Sequence, residues 1–407
     1  MNENTSISSS WKQTTVLFLA AQFISLLGSS IVQHAIIWHI VINTSSGAMV
    51  AISTICGFLP QIAISFYAGP WLDRFDKKQV NMLSDGLIAL ATAMIFISFM
   101  LGFKSIWLLF LALIFRSLGT GIQTPAVNAI IPLMVPREHL VRVNGLLGSF
   151  NALTMLMSPV ISAAIYAITA LENILLIDIS TAIIALIIMA RLSIPSKSTK
   201  AISAQSNLQA FSQGLRYVKH RPQIARLFIF VAVVMVLISP SAFLTPLMVA
   251  QTFGDEPWRL AVSEVCFSGG AMLGGLLISF LGKQLPPLKV TLLATCGYGV
   301  LMIALGCSSL FFIYLIFNFI IGITMPCFNA PITSFLQENV DTDMQGRIFS
   351  LYHVVCSSAL PLGIILFGPL ADKISVQTTI ILCGIIVAAV SIIANLKAPT
   401  PPEPQES

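Results

Sequence analysis

Five ionisable side chains stand inside stretches that are otherwise apolar: Asp85, Arg116, Asp178, Glu264 and Glu338. A charge at the centre of a bilayer costs about 2.5–3.5 kcal/mol even on the lenient insertion scale, so each must face a partner, a carbonyl or water. Asp178 follows Glu172 by six residues and Glu264 follows Trp258 by six, which sets each about 9 Å in from the end of its segment. A carboxyl so placed either takes up and releases a proton or braces its neighbours. Arg116 lies ten residues beyond Ile106, about 15 Å deep, and needs a carboxylate or carbonyls lining a cavity. His34 and His39 stand in the first apolar segment and His353 in a late one. Such a histidine relays protons or bonds a neighbour.

These residues need helices to hold them, because only helices and closed barrels satisfy their backbone inside a bilayer. Between Lys12 and Asp73 there are 60 consecutive residues without Asp, Glu, Lys or Arg, room for two crossings of about 20 residues each. The first segment is too long for a signal-peptide core of about 7–15 residues and is expected to stay as a span. Apolar segments recur near 14–42, 47–71, 80–102, 106–134, 139–168, 173–194, 223–252, 258–282, 288–308, 310–336, 344–371 and 375–396. The chain therefore reads as an all-α polytopic membrane protein of twelve transmembrane helices. Only 9% of its 407 residues are charged, against about 25% in a soluble domain.

Seven cysteines stand singly in apolar segments, as small buried hydrophobes and not as a metal or disulfide framework. Neither a metal-ligand cluster nor a catalytic Ser/His pair is visible, so no metal, cofactor or enzymatic activity is expected. Without a P-loop, ATP does not drive this chain directly, and a partner ATPase stays an open question. The net charge of +5 suggests nucleic acid until topology is considered. With both termini cytoplasmic, 17 Lys and Arg lie inside, Lys104, Arg259 and Lys373 lie outside, and Arg116 lies within a span. The positive-inside rule selects that orientation.

The longest polar interruption divides the chain into an N-terminal six-helix half (1–194), a central cytoplasmic loop (195–222), a C-terminal six-helix half (223–396) and a disordered tail (397–407). In the loop, Leu208, Phe211, Leu215 and Val218 fall at helical spacing beside Arg216, Lys219 and Arg221. That pattern suits an amphipathic helix on the membrane surface or a partly ordered linker. The halves also share spelling. Pro125-Ala-Val-Asn-Ala129 recurs as Pro326-Cys-Phe-Asn-Ala330 at an offset of 201, and Pro159 matches Pro361 at 202. Two six-helix pseudo-repeats of this kind resemble the major facilitator fold.

Gly69-Pro-Trp-Leu-Asp-Arg-Phe-Asp-Lys-Lys78 is similar to the signature G-x-L-a-D-r-x-G-r-k of the major facilitator superfamily, with Trp71 for the usual Leu and Asp76 for the second Gly. The resemblance implies conformational gating by Gly69, Asp73, Arg74, Lys77 and Lys78, with Asp85 beside them as a partner. Phe115-Arg116 to Gly121 resembles the R-x-x-x-G motif of proton-driven exporters. Gly145, Gly148 and Ser158-Pro159 resemble the antiporter motif, or mark a packing kink. Over essentially its whole length the chain is similar to macrolide efflux proteins of the Mef type, carried by Gly57 to Pro60, Arg116 to Pro136, Ser263 to Phe267 with Gly274-Gly275, and Gly346 to Leu351.

That likeness implies a monomeric exporter in a bacterial inner membrane, exchanging amphipathic drugs for protons by alternating access. Export of another amphipathic solute such as a siderophore, or uptake of a metabolite, is the competing reading. Proton coupling or the substrate cavity is expected to involve Arg116, Asp178, Glu264 and His34. Cavity lining is expected from Gln33, Trp38, Phe58, Gln61, Gln123 and Asn318. Gly145, Pro159, Gly270, Gly274 and Pro361 are expected at helix packing or hinge positions.

Overall fold

The computed structural model describes residues 3–194, 207–281 and 286–396. Among these residues there are fourteen α-helices and no strand. They are α1 Glu3–Thr44, α2 Gly47–Arg74, α3 Lys77–Met100, α4 Ile106–Met134, α5 Leu140–Tyr166, α6 Leu171–Arg191, α7 Asn207–His220, α8 Pro222–Phe243, α9 Thr245–Thr252, α10 Pro257–Leu281, α11 Pro287–Gly306, α12 Phe311–Asn339, α13 Thr342–Ile374 and α14 Val376–Leu396. Twelve stretches are long and apolar enough to cross a membrane, α8 and α9 together making one of them. The span α8–α9 breaks at Leu244, just before Pro246, which has no N–H to extend the α8 ladder but fits the first turn of α9. α7 is the helical form of the amphipathic pattern in the central loop. The remainder of that loop, 195–206, and the tail 397–407 lie outside the described residues.

The breaks between spans are made by polar caps. Ser45 takes a positive φ of 47° between α1 and α2, and the Ser46 hydroxyl accepts from the Met49 amide. Asp76 caps α3 by accepting from the amides of Lys78 at 2.8 Å and Gln79 at 3.1 Å. A cap of that kind contributes about 1 kcal/mol.

The helices form two compact units, one of Met1–Ala210 with Pro246–Val265, the other of Phe211–Thr245 with Cys266–Ser407. The segment 246–265 thus groups with the first unit, although the sequence assigns it to the C-terminal half. Gln251 donates to the Ser45 carbonyl at 2.9 Å, and Glu264 reaches His34. In the first unit α1 packs on α5 and α6, α2 on α4, and α3 on α4 and α6; in the second, α11 packs on α12 and α14, and α8 on α13 and α14.

Each unit repeats the other's local geometry. α4 and α12 are both 29 residues long with internal prolines at 125 and 326. They end on Val135 and Val340, whose φ,ψ are −108°,130° and −107°,131°. Gly121 and Gly322 stand at the same offset of 201. A Cβ on Gly121 would run into the backbone of Gln61, and one on Gly322 into that of Phe267. The shared spelling therefore marks equivalent close contacts of α4 with α2 and of α12 with α10.

Two apolar clusters of the first unit are separated along the helices. One gathers Ile36, Phe99, Leu113 and Ile174; the other gathers Phe18, Ile131, Val143 and Met189. The polar side chains of α1, α3, α4 and α6 fall between them in sequence, and the candidate site begins there.

Candidate functional site

Asp178 of α6 and Arg116 of α4 form an ion pair with side chains only 1% and 5% exposed. Ser29 of α1 donates to the same carboxylate at 2.7 Å and Thr92 of α3 at 2.6 Å. Arg116 also donates to the Ser29 carbonyl at 2.9 Å. Four helices meet in this one network, in which the two charges face each other while the buried Arg116 Nε finds no hydrogen-bond partner among the described residues. Such a pair locks geometry, because losing one partner strands the other charge in a dry site at a cost of about 3–5 kcal/mol.

Asp85 of α3 is equally buried. It accepts from Ser25 of α1 at 3.0 Å, from Asn81 at 3.4 Å, and from Gln123 of α4. Those partners all lie inside the bundle, and none belongs to the α2–α3 loop with which the sequence groups Asp85. Gln123, expected to face a substrate, is committed to that carboxylate instead.

The third carboxylate is held in another way. Glu264 Oε2 lies 2.8 Å from His34 Nε2, and the two side chains keep 31% and 23% of their surface exposed. On the other side of the ring, Nδ1 lies 2.7 Å from the Ser30 carbonyl and 3.4 Å from the Ser158 hydroxyl. A carbonyl only accepts, so Nδ1 carries a hydrogen. The short Nε2 to Oε2 contact then requires one further proton, on the ring or on the carboxyl. The pair is neutral overall with one proton between ring and carboxyl; without that proton two acceptors would face each other. This pair keeps more side-chain surface exposed than the Arg116–Asp178 pair does.

The α2–α3 loop ties the first unit together at another place. Lys78 donates through Nζ to the carbonyls of Ala190 at 3.0 Å and Leu192 at 2.8 Å, satisfying the open C-terminus of α6. Asp76, one of the two residues that depart from the signature, is the cap of α3. Arg74 is exposed and Lys77 half-buried, while the burial of Gly69 and the side chain of Asp73 lie outside what is described.

The remaining expected residues divide by burial. Trp38 is fully buried with its ring edge-on to His34 at 5.7 Å, so it backs the histidine and lines no open wall. Gln33 and Gln61 are half-buried, Phe58 is exposed, and Asn318 is buried in α12. The Gln61 amide donates to the Ser117 hydroxyl at 2.9 Å, pinning α2 to α4. Glu338 is exposed at the end of α12. His39 bonds the Tyr166 hydroxyl at 2.9 Å, the neighbour-bonding alternative. Gly270 and Gly274 do mediate close packing, since a Cβ at either would collide with the backbone of α12. Gly145 does not, because a Cβ there meets nothing within 4 Å. Pro159 and Pro361 are buried inside α5 and α13.

Sequence reasoning passed over Ser25, Ser29, Ser30, Asn81 and Thr92, and read Ser158 only as part of a motif. Short hydroxyls in apolar helices usually bond their own backbone, so type alone does not distinguish the few that reach a carboxylate or an imidazole.

Known proteins resemble this arrangement at two levels. The Major Facilitator Superfamily model matches residues 18–364. The chain is 30% identical over 392 residues to Macrolide efflux protein A of Streptococcus pyogenes, covering 95% of this chain and 96% of that protein. It is 29% identical over 323 residues to Macrolide efflux protein A of Enterococcus faecalis, covering 78% and 99%. In fold it is similar to a crystal structure of a point mutant of the nucleoside transporter NupG, with a TM-score of 0.74, 94% and 99% of the two chains covered and 14% identity.

Proposed function

We propose that this chain, which belongs to the major facilitator superfamily, exports macrolide-like and other amphipathic drugs across a bacterial cytoplasmic membrane in exchange for protons. The relatives named as macrolide efflux proteins support the substrate class. The observation that carries proton coupling is the His34–Glu264 contact, two titratable groups at 2.8 Å that share one proton and remain partly exposed.

Loss of the shared proton leaves two acceptors facing each other, so the two proton occupancies favour different positions of the His34 ring against the Glu264 carboxyl. Alternating access then follows proton occupancy. The Arg116–Asp178 network holds α1 in place while His34 titrates, which makes those two residues positioning residues. The gating motif of α2 and α3 acts through the Lys78 tie to α6. The proton gradient is the energy source, a monomer suffices, and both termini lie in the cytoplasm.

The test uses purified protein in proteoliposomes with an imposed pH gradient and a labelled macrolide. Wild type should accumulate the drug against its gradient. Glu264→Gln and His34→Gln should each lose accumulation yet still let the drug equilibrate, and the double variant should be no worse than either single one. Normal uphill transport by both single variants would sink the proposal.

A further inference from the structure

Asp85 is only 1% exposed, yet no Lys or Arg pairs with it among the described residues. Its three partners are neutral: Ser25 Oγ donates at 3.0 Å, Asn81 Nδ2 at 3.4 Å, and Gln123 Nε2 donates as well. The charges on the helices around it are committed elsewhere. On α3, Lys78 lies seven residues back and gives its Nζ to the carbonyls of Ala190 and Leu192. On α4, Arg116 lies seven residues from Gln123 and pairs with Asp178 of α6. On α1, His34 lies nine residues beyond Ser25 and meets Glu264, and α2 carries no charge before Asp73. Arg137, whose side chain is not described, follows the end of α4, itself eleven residues or about 16 Å beyond Gln123. Lys197 and Lys200 follow the end of α6.

A lone carboxylate in apolar surroundings is so costly that a proton or a bound cation neutralises it. The partners of Asp85 suit the proton. A hydroxyl both donates and accepts, and an amide carries a carbonyl oxygen beside its N–H groups, so all three can serve a carboxylate or a carboxylic acid after small rotations. The two amide N–H groups now aimed at Asp85 would oppose a metal ion. Asp178 has no such freedom, because a guanidinium only donates.

Unmatched polar atoms also line up on one side of Asp85. Thr15 Oγ1, Gln22 Nε2 and Asn81 Oδ1 are buried without a hydrogen-bond partner among the described residues. Asn81 stands one turn before Asp85, Gln22 one turn before Ser25, and Thr15 two turns before Gln22. α1 and α3 cross in the same direction, with α2 returning between them, so all three lie toward the helix starts. Buried groups left unmatched along one direction are those that water or a passing proton would join.

We propose that Asp85 carries a second transported proton, releasing it along Asn81, Gln22 and Thr15 toward the side on which α1 and α3 begin. The site rests on the drug–proton exchange proposed above: the His34–Glu264 pair couples the movement, and Asp85 adds driving force to it. A carboxylate oxygen of Asp85 takes the proton from water on one side and returns it to water on the other, and no other group is consumed.

Full-length protein in sodium-free detergent is compared in acid and alkaline buffer by infrared difference spectroscopy. Wild type should show the carbonyl stretch of a protonated carboxyl, and growth on ¹³C-labelled aspartate should move that band. Asp85→Asn should lose a band that Glu264→Gln retains, and melting temperatures confirm that the variants fold. The proteins are then placed in proteoliposomes under a pH gradient, with the membrane potential held at zero and labelled macrolide supplied. Each proton exchanged supports about a tenfold drug ratio per pH unit, so Asp85→Asn should lower the final ratio about tenfold at a gradient of about one unit. Gln22→Leu should slow the approach to the final ratio and leave the ratio itself unchanged. A band indifferent to labelled aspartate, or a final ratio unchanged in Asp85→Asn, would overturn the second site. Loss of the band on adding sodium chloride at constant pH would show a cation site and overturn the proton assignment. Wild type that shows the Asp85 band but builds no drug gradient would sink the exchange reading itself, a failure told apart by the intact band.

Discussion

Two acid–base pairs of the first unit look alike in chemistry and differ in access to water. Arg116 and Asp178 are 5% and 1% exposed in their side chains, whereas His34 and Glu264 are 23% and 31% exposed. A buried pair that also accepts hydroxyl bonds from Ser29 and Thr92 ties four helices together, so the contribution proposed for it is rigidity. Arg116→Ala should destabilise the first unit by about 3–5 kcal/mol, while Arg116→Met combined with Asp178→Leu should recover most of that loss, since a well-packed apolar pair replaces a buried ion pair at little cost. Thermal melting in detergent reads both. If Asp178→Asn instead melts like wild type and abolishes uphill transport, the proton passes through Asp178 and the division between the two pairs is wrong.

At the level of helices, the spans were legible because apolar length alone sets them; α4 coincides with the expected 106–134. The repeat was legible from Pro125 and Pro326, and Gly121 and Gly322 show what that spelling protects. The polar contacts were not legible. Ser25, Ser29 and His34 point about 40° and 140° apart around α1 at roughly 100° per residue, so they make no stripe, and each finds its acid on a different helix. Glycines were legible only in part: Gly270 lies against the Phe319 carbonyl, whereas Gly145 has open space. Gly270→Val should therefore force α10 from α12 and cost about 1–3 kcal/mol or more, as overpacking does. Gly145→Ala should be neutral or slightly stabilising, since alanine suits a helix better. Membrane yield and melting temperature compare the two, and equal losses would mean that space at these glycines does not control packing.

For the whole molecule, the proposed orientation rests on charge alone. With both termini placed in the cytoplasm, as proposed, seventeen basic residues fall inside and three outside, the bias that the positive-inside rule associates with short cytoplasmic loops. The α1–α2 turn and α7 must then face opposite sides of the membrane, separated by an odd number of crossings after α1. Both carry exposed positions, Asn43 beside the turn and Ser212 on α7. In a background with the seven native cysteines replaced by alanine, Asn43→Cys should react with an impermeant thiol reagent added to intact cells. Ser212→Cys should react only after the membrane is opened. The reverse pattern would invert the proposed topology, although drug would still leave as protons enter, because the direction of an exchanger follows the proton gradient and not the way it is inserted.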